Sequence, residues 1–388
     1  MIKLQLVILF SVATAALAAP EWWQQWAMDK VGDIAHTIVA PENELRLVQT
    51  AEDKAPVWMT EKQRLDMLRK KIGYMDVTNH QDFRPLHPIP KKRLPKEAVH
   101  QDKFTRYVYK LSTTNMKVAL TTFTTFKTRY YKSDSGLEAA QWLHKQISDL
   151  IENSTVSSDI NLRKFTHKEW KQFSIIARFE GKDKSLYNSP IIIGAHLDSV
   201  NAWYPALARS PGADDNGSGT MTTLEVFRSL INTGFHPIRP VEFHWYSAEE
   251  AGLLGSQDVA EDYRRKGVEV LAMIQNDMTG YVGFRFKESF GIVTDNVDRE
   301  LTELVKMYVR EYGDIAVRET QCGYSCSDHA SWVKYGYRAA FAIEGDFSDI
   351  NPFIHGDDDS VTHINFDHMR QFAKLTLGFT IELGYYRG

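Results

Sequence analysis

Two apolar runs, IIIGAH from Ile191 and VEFHWY from Val241, each stop at a cluster of charged residues, and that repetition restricts the fold more than any other feature of the chain. Short continuous apolar runs belong to strands buried on both faces, which a sheet achieves when helices cover it above and below. Between them, SPGADDNGSGT reads as a Gly-rich acidic turn. Leu224, Phe227 and Ile231 then recur at helical spacing up to Gly234, where glycine suits a helix end. FSIIARF, VLAMIQNDM and AAFAIEG are further strand-like runs. Helices are expected over residues 136–152, opened by a capping box at Ser135-Gly136-Leu137-Glu138, around Leu301, Leu304, Val305 and Tyr308, and over about 367–383. The alternation predicts an α/β three-layer sandwich: a mixed, mainly parallel central sheet with helices on both faces.

In such sheets, ligand sites form where strand ends meet loops. His196, Asp198, Asp214, Asp215, Glu249 and Glu250 all fall at those ends, a concentration of metal-binding and proton-transfer groups that structure alone does not ask for. His196 and Asp198 are two apart on extended backbone and so share a face, which lets Asp198 orient the imidazole of a ligating His196. Helix capping would need one carboxylate, whereas Asp214-Asp215 supplies two. Adjacent side chains diverge on a strand, so of Glu249 and Glu250 one can bind metal while the other reaches a neighbouring water. Asp277 at the end of VLAMIQND and His355 in NPFIHGDDD complete the candidates. His244 inside a strand, His236 before a proline, and His329, His363 and His368 lack partners at ligand spacing and are not expected to bind metal.

With 388 residues, 43% of them hydrophobic, the chain can bury a large core plus an extension, and its formal charge of -4 offers no basic surplus for nucleic acid. Lys3, the apolar run Leu4 to Leu17 and the small-x-small end at Ala16-Leu17-Ala18 predict a signal peptide over 1–18, hence secretion to the extracellular space. No later run reaches the roughly 20 apolar residues a spanning helix needs. In an exported chain the two lone cysteines, Cys322 and Cys326, are expected to form a disulfide, contributing only about 2 kcal/mol by loop closure and serving chiefly to shape the loop. Asn153-Ser154-Thr155 is a glycosylation sequon in a helix-end loop, so Asn153 is a candidate; Asn216 overlaps the metal turn and should stay bare.

Residues 19–93 differ in character from the rest of the chain. They begin with Trp22, Trp23 and Trp26, continue in charged stretches without a convincing strand run, and end in HPIPKKRLPK. They are expected to be a pro-segment, cut between about 75 and 95 with weak preference for Lys91-Lys92-Arg93, ahead of a catalytic domain over 94–388.

The succession AHLDS, PGADDNGSGT, SAEEAGLLGSQD, QNDMTGY, CGYSCSDHASW and NPFIHGDDD, preceded by TTNMK and TRYYKSDSG, resembles the secreted zinc-dependent leucyl aminopeptidases of bacteria and fungi. The likeness begins near Thr114 and runs to the C-terminus. It implies two co-catalytic Zn2+ ions per chain. His196, Glu250, Asp277 and His355 would be terminal ligands, Asp215 the bridge, Glu249 the general acid/base and Asp198 the support of His196. It also implies peptide substrates with a free N-terminus and an apolar pocket for the first side chain, formed by Met278, Cys326, Ile343, Phe347, Ile350 and Ile354. Tyr324 is a candidate donor to the oxyanion. Preference for leucine over other apolar residues should be graded, since a missing methylene costs only about 1 to 3 kcal/mol.

Nitrogen and oxygen donors without thiolate suit zinc, and three carboxylates with one hydroxide balance two divalent ions. Two other readings exist: a single-zinc glutaminyl cyclase of similar fold, and a protease-like binding ectodomain without catalysis. The first should bind one metal; the second should lack ligands or the base, and none is missing here. A monomer is expected, with no nucleic-acid or membrane partner.

Overall fold

The apolar runs of the sequence become neighbouring strands in the middle of an eight-stranded sheet. The computed structural model describes residues 44–51, 53–81, 89 and 91–388, so the expected signal peptide lies outside the described residues. In chain order, strands β1 (Arg46–Gln49) and β2 (Val57–Met59), helix α1 (Glu61–Arg69) and strand β3 (Met75–Asp76) come first. Helices α2 (Gln101–Val108), α3 (Thr113–Phe123) and α4 (Asp134–Glu152) lead into strands β4 (Ile160–Phe165), β5 (Ser174–Phe179) and β6 (Ile191–His196). Then come α5 (Gly219–Asn232), β7 (Val241–Tyr246), α6 (Leu254–Arg265), β8 (Ala272–Asn276) and β9 (Ser289–Val293). The chain finishes with α7 (Arg299–Tyr312), β10 (Ala316–Thr320), α8 (His329–Lys334), β11 (Ala339–Ile343) and α9 (Phe366–Gly384).

The large sheet runs β10-β9-β11-β8-β6-β7-β5-β4. Its centre is parallel: β6 pairs with β7 and β8, and β8 with β11. β5 is antiparallel to both β4 and β7, and β11 to β9, which makes the sheet mixed as expected. Alternate residues of β6 serve the two faces. Ile191, Ile193 and Ala195 join the larger core with α2, α3, α4, α5, α7 and α9, while Ile192 joins a smaller core with α6 and α8. All three isoleucines are fully buried, and burial of that kind stabilises by roughly 1.5–3 kcal/mol per side chain. Among the described residues, no helix is long and apolar enough to cross a membrane.

Two expectations are corrected. The residue capping α4 is Ser133, whose hydroxyl accepts from the Gly136 N–H at 2.9 Å, while Ser135 Oγ donates to Thr128 O; the expected capping box is not the one used. The N-terminal region does contain strands. β1 pairs with β2 and with β3 in an antiparallel sheet whose strands are two to four residues long, too short to leave a period in the sequence. α1 beside it carries the capping box, between Thr60 and Gln63.

Candidate metal centre

Parallel strands bring their carboxyl ends to one edge, and β8, β6 and β7 are adjacent there. In register, His196 lies level with Tyr246, so the end of β6 stands beside the turn carrying Glu249 and Glu250 and beside Asp277, the residue after β8. Asp215 enters from the turn that opens α5, and His355 from the loop after β11. The backbone at Ala248, Met278 and His355 is left-handed, with φ of 57°, 53° and 60°. Strained conformations of this kind are held at sites where side chains must be aimed.

The resulting geometry has two halves. His196 Nε2 lies 3.3 Å from Asp215 Oδ1 and 3.3 Å from Asp277 Oδ1. His355 Nε2 lies 3.1 Å from Asp215 Oδ2 and 3.1 Å from Glu250 Oε2. The two oxygens of Asp215 therefore face different histidine and acid pairs. Glu249 Oε2 also approaches His196 Nε2, at 3.8 Å, and its carboxylate could reach an ion shared with His196 and Asp277. Asp215 Oδ1 stands closer to His196 Nε2 than Glu249 Oε2 does.

These buried groups fit a cation. His196 Nε2 and Asp277 Oδ1 are buried without a hydrogen-bond partner among the described residues, an expensive arrangement unless something else satisfies them. Electrostatics point the same way. Burial disfavours a charged His196, yet Asp277 and Glu249 outweigh it and hold its pKa well above the usual value. Burial, then Asp215, pushes Glu250 up to about 7, and burial pushes Glu249 well above the carboxylate range. The donors are imidazole and carboxylate; Cys322 and Cys326 form the expected disulfide and offer no thiolate.

Supporting carboxylates fix the halves. Asp198 faces His196 Nδ1 at 3.4 Å, and it also accepts the backbone N–H groups of Glu249 (3.0 Å) and Glu250 (3.2 Å). Asp359 does the same for the acidic turn, accepting from the N–H groups of Asp214 and Asp215, each at 3.0 Å. Ser327 Oγ donates to Asp277 Oδ2 at 2.6 Å. Arg129, fully buried, donates to the carbonyls of Leu197 and Gly212, tying the end of β6 to the acidic turn. Asp359, Ser327 and Arg129 were not singled out in the sequence: each acts across the fold, and none stands at ligand spacing.

A cavity opens onto the centre, lined by Asp215, Glu249, Glu250, Asp277 and His355. Every expected pocket residue lines it too: Tyr324, Met278, Cys326, Ile343, Phe347, Ile350 and Ile354, with Phe341 in addition. Asp214 stays out of the centre, bonded to Gly280 N–H and to Asn351. The histidines set aside remain outside both halves: His244 contacts Glu242 and Tyr246, His236 pairs with Asp159, His329 stacks on Phe341, His363 on Phe353, and His368 contacts Glu288. Asn216 is fully buried and donates to Asn276 O, whereas Asn153 is exposed after α4.

Residues of the N-terminal region also line this cavity: Leu68, Lys71, Gly73 and Tyr74. His355 Nδ1 faces Leu68 O at 3.3 Å, Lys71 Nζ donates to Pro352 O at 2.9 Å, and Gly73 packs against the Tyr324 ring.

The chain and its fold resemble those of known proteins. The chain is 41% identical over 362 residues to leucine aminopeptidase 1 of Fusarium vanettenii, covering 91% of each chain, and 43% identical over 339 residues to leucine aminopeptidase 1 of Neurospora crassa, covering 84% and 83%. Its structure superimposes on that of the LapA aminopeptidase of Legionella pneumophila with a TM-score of 0.78 at 28% identity, covering 91% of this chain and 96% of that one. Residues 174–380, which contain every residue of both halves of the centre, match the model of peptidase family M28. A central parallel sheet, acids and histidines gathered at its carboxyl edge and this match together make the chain a member of peptidase family M28.

Proposed function

We propose that this protein is a zinc aminopeptidase that releases apolar residues, leucine among them, from the free amino termini of peptides, with two metal ions per chain. The observation that carries the reading is Asp215, whose two carboxylate oxygens each face a separate histidine and acid pair. His196, Asp277 and Asp215 Oδ1 would hold one ion; His355, Glu250 and Asp215 Oδ2 would hold the other. When bound, the metal supplies Lewis acidity, bringing the pKa of water toward about 7 and polarising a carbonyl. Glu249 then takes the proton of the attacking water and delivers it to the departing amine, because its carboxylate stands beside the ligands without being needed by either half. Asp198 keeps Glu249 and Glu250 aimed through their backbone amides. Tyr324 donates to the developing oxyanion, and the apolar wall of the cavity receives the first side chain.

The reading includes export, because residues 1–18 have the composition of a signal peptide, action as a monomer, and glycosylation at Asn153. It also includes a latent form. Leu68, Lys71, Gly73 and Tyr74 line the cavity over the centre, which supports a segment that obstructs the cleft until it leaves. Lys91 pairs with Asp298 at 2.7 Å, Lys92 O accepts from Arg338, and Leu94 is buried in the main core, contacts that support keeping the basic triplet with the catalytic body. We therefore put the activating cut between His80 and Ile89.

The test is an assay of the secreted, processed protein on a panel of aminoacyl amides with metal quantified in the same sample. Two zinc ions per chain, loss of activity to chelators and a graded preference for leucine are expected. One metal at full activity, or cyclisation of N-terminal glutamine in place of hydrolysis, would sink the reading.

A further inference from the structure

A second cavity, of about 390 Å³, adjoins the metal cleft, and the two share Leu68, Tyr74 and Glu250. Its wall on the catalytic body carries three aromatic rings, with Lys132 and Glu169 at its edge. Tyr130 and Tyr131 meet edge to face with ring centroids 4.9 Å apart, and Tyr131 meets Trp170 in the same way at 5.6 Å. The Trp170 ring is pinned, its Nε1–H donating to Ser247 Oγ at 3.0 Å and its face stacking on His167 at 4.4 Å. Val200, Ala251 and Leu254 continue the wall toward Glu250.

This wall is covered by the chain's own N-terminal segment. Val48, Leu65, Leu68 and Tyr74 form one apolar cluster with Tyr130, Tyr131, Val200 and Leu254. An aminopeptidase substrate places its first side chain in one pocket, and the rest of its chain must leave the metal centre on the far side of the scissile bond. Met278, Ile343 and Phe347 line the first cavity and none of the second, the three rings line the second and none of the first, and the two cavities meet at Glu250.

We propose that Tyr130, Tyr131 and Trp170 form the subsite for the second and third residues of the substrate, selecting apolar and aromatic side chains there, and that the N-terminal segment occupies this subsite until it is removed. This rests on the reading above that the segment leaves. A rigid aromatic wall offers large contact area at small entropic cost. The segment demonstrates the chemistry it accepts, since aliphatic and tyrosyl side chains already lie against it.

The experiment uses the processed enzyme as secreted. Its amino terminus is sequenced first: a terminus upstream of Arg46 at full activity overturns the release of the segment and leaves no room for the subsite. With the segment gone, kcat/KM is compared for Leu-Gly-Gly, Leu-Phe-Phe and Leu-Leu-Leu against leucine 4-nitroanilide, which carries no second residue. An advantage of about tenfold or more for the apolar tripeptides over Leu-Gly-Gly is expected from one or two such contacts. In Tyr131→Ala and Trp170→Ala the ratio of kcat/KM for Leu-Phe-Phe to that for the 4-nitroanilide should fall by about the same factor. Equal values for the three tripeptides in the parent enzyme, or a parallel loss on every substrate in the variants, would overturn the assignment.

Discussion

Glu249 and Glu250 are adjacent in the chain and both hang from Asp198 by their amides, yet their carboxylates stand beside different histidines. Glu250 stands 3.1 Å from His355, inside one half of the centre, and Glu249 stands 3.8 Å from His196, beside the other. Glu249→Gln is therefore expected to lower kcat by about 10²-fold to 10⁴-fold with metal content unchanged, whereas Glu250→Gln should lose metal. Kinetics and metal analysis on the same samples check this, and the reverse pattern would mean that the roles are exchanged. Asp359 belongs to neither half itself and acts through backbone bonds to Asp214 and Asp215. It holds the two amides of the acidic turn, so Asp359→Ala should weaken metal retention by roughly 10-fold to 100-fold, as loss of a supporting carboxylate commonly does, measured by competition with a chelator. Retention equal to that of the parent would show that the turn stands without it.

Between the strands and helices, short connections set the shape of the cleft. The Cys322–Cys326 loop carries Tyr324 and Cys326 into the cavity wall, and closing so small a loop contributes only about 2 kcal/mol. Replacing both cysteines by serine should therefore raise KM for leucine substrates more clearly than it lowers Tm; free thiols in the folded protein would contradict the expectation. On the opposite wall, a Cβ on Gly73 would fall 2.2 Å from Tyr324 Cε2. Gly73→Val cannot seat the turn after α1 against that ring without moving it. The uncleaved variant should hydrolyse leucine 4-nitroanilide faster than the uncleaved parent, while equal rates would show that the turn does not seal the cleft.

Over the full length of the fold, the N-terminal region is held by charge as well as by apolar contact. His80 Nδ1 lies 2.6 Å from Glu261 and 2.8 Å from the Tyr335 hydroxyl, and Asp258 on α6 stands between His80 and His167, at 3.5 Å and 2.7 Å. Burial opposes the ionised Asp258, but its hydrogen bonds with His167 and His80 bring its pKa down to about 2. A carboxylate depressed on folding adds stability above its unfolded pKa of about 3.9 and loses it as pH falls through the folded value. The uncleaved protein should thus lose on the order of 1–2 kcal/mol between about pH 4 and pH 2, and Asp258→Asn should remove much of that dependence. Denaturant midpoints across this pH range test it; an unaltered slope in the variant would assign the acid sensitivity elsewhere.

Local rules made one part of this protein readable from the chain alone. β6, β7 and β8 were legible because strands buried on both faces must be apolar throughout, and the acids and histidines stood out by interrupting those runs at their ends. The order of the motifs led from there to the family. The pairing of ligands came from the folded arrangement. His196 with Asp277, and His355 with Glu250, join residues far apart in sequence, and spacing does not encode which strand ends become neighbours. Asp359, Ser327 and Arg129 were hidden for the same reason, since each works through a backbone amide, a carboxylate or a carbonyl supplied by another part of the fold. The N-terminal strands were missed because strands of two to four residues are too short to show a period. They exist because their side chains find a ready surface in Tyr130, Tyr131, Val200 and Leu254. Packing against these side chains, rather than local preference, holds the described strands in place.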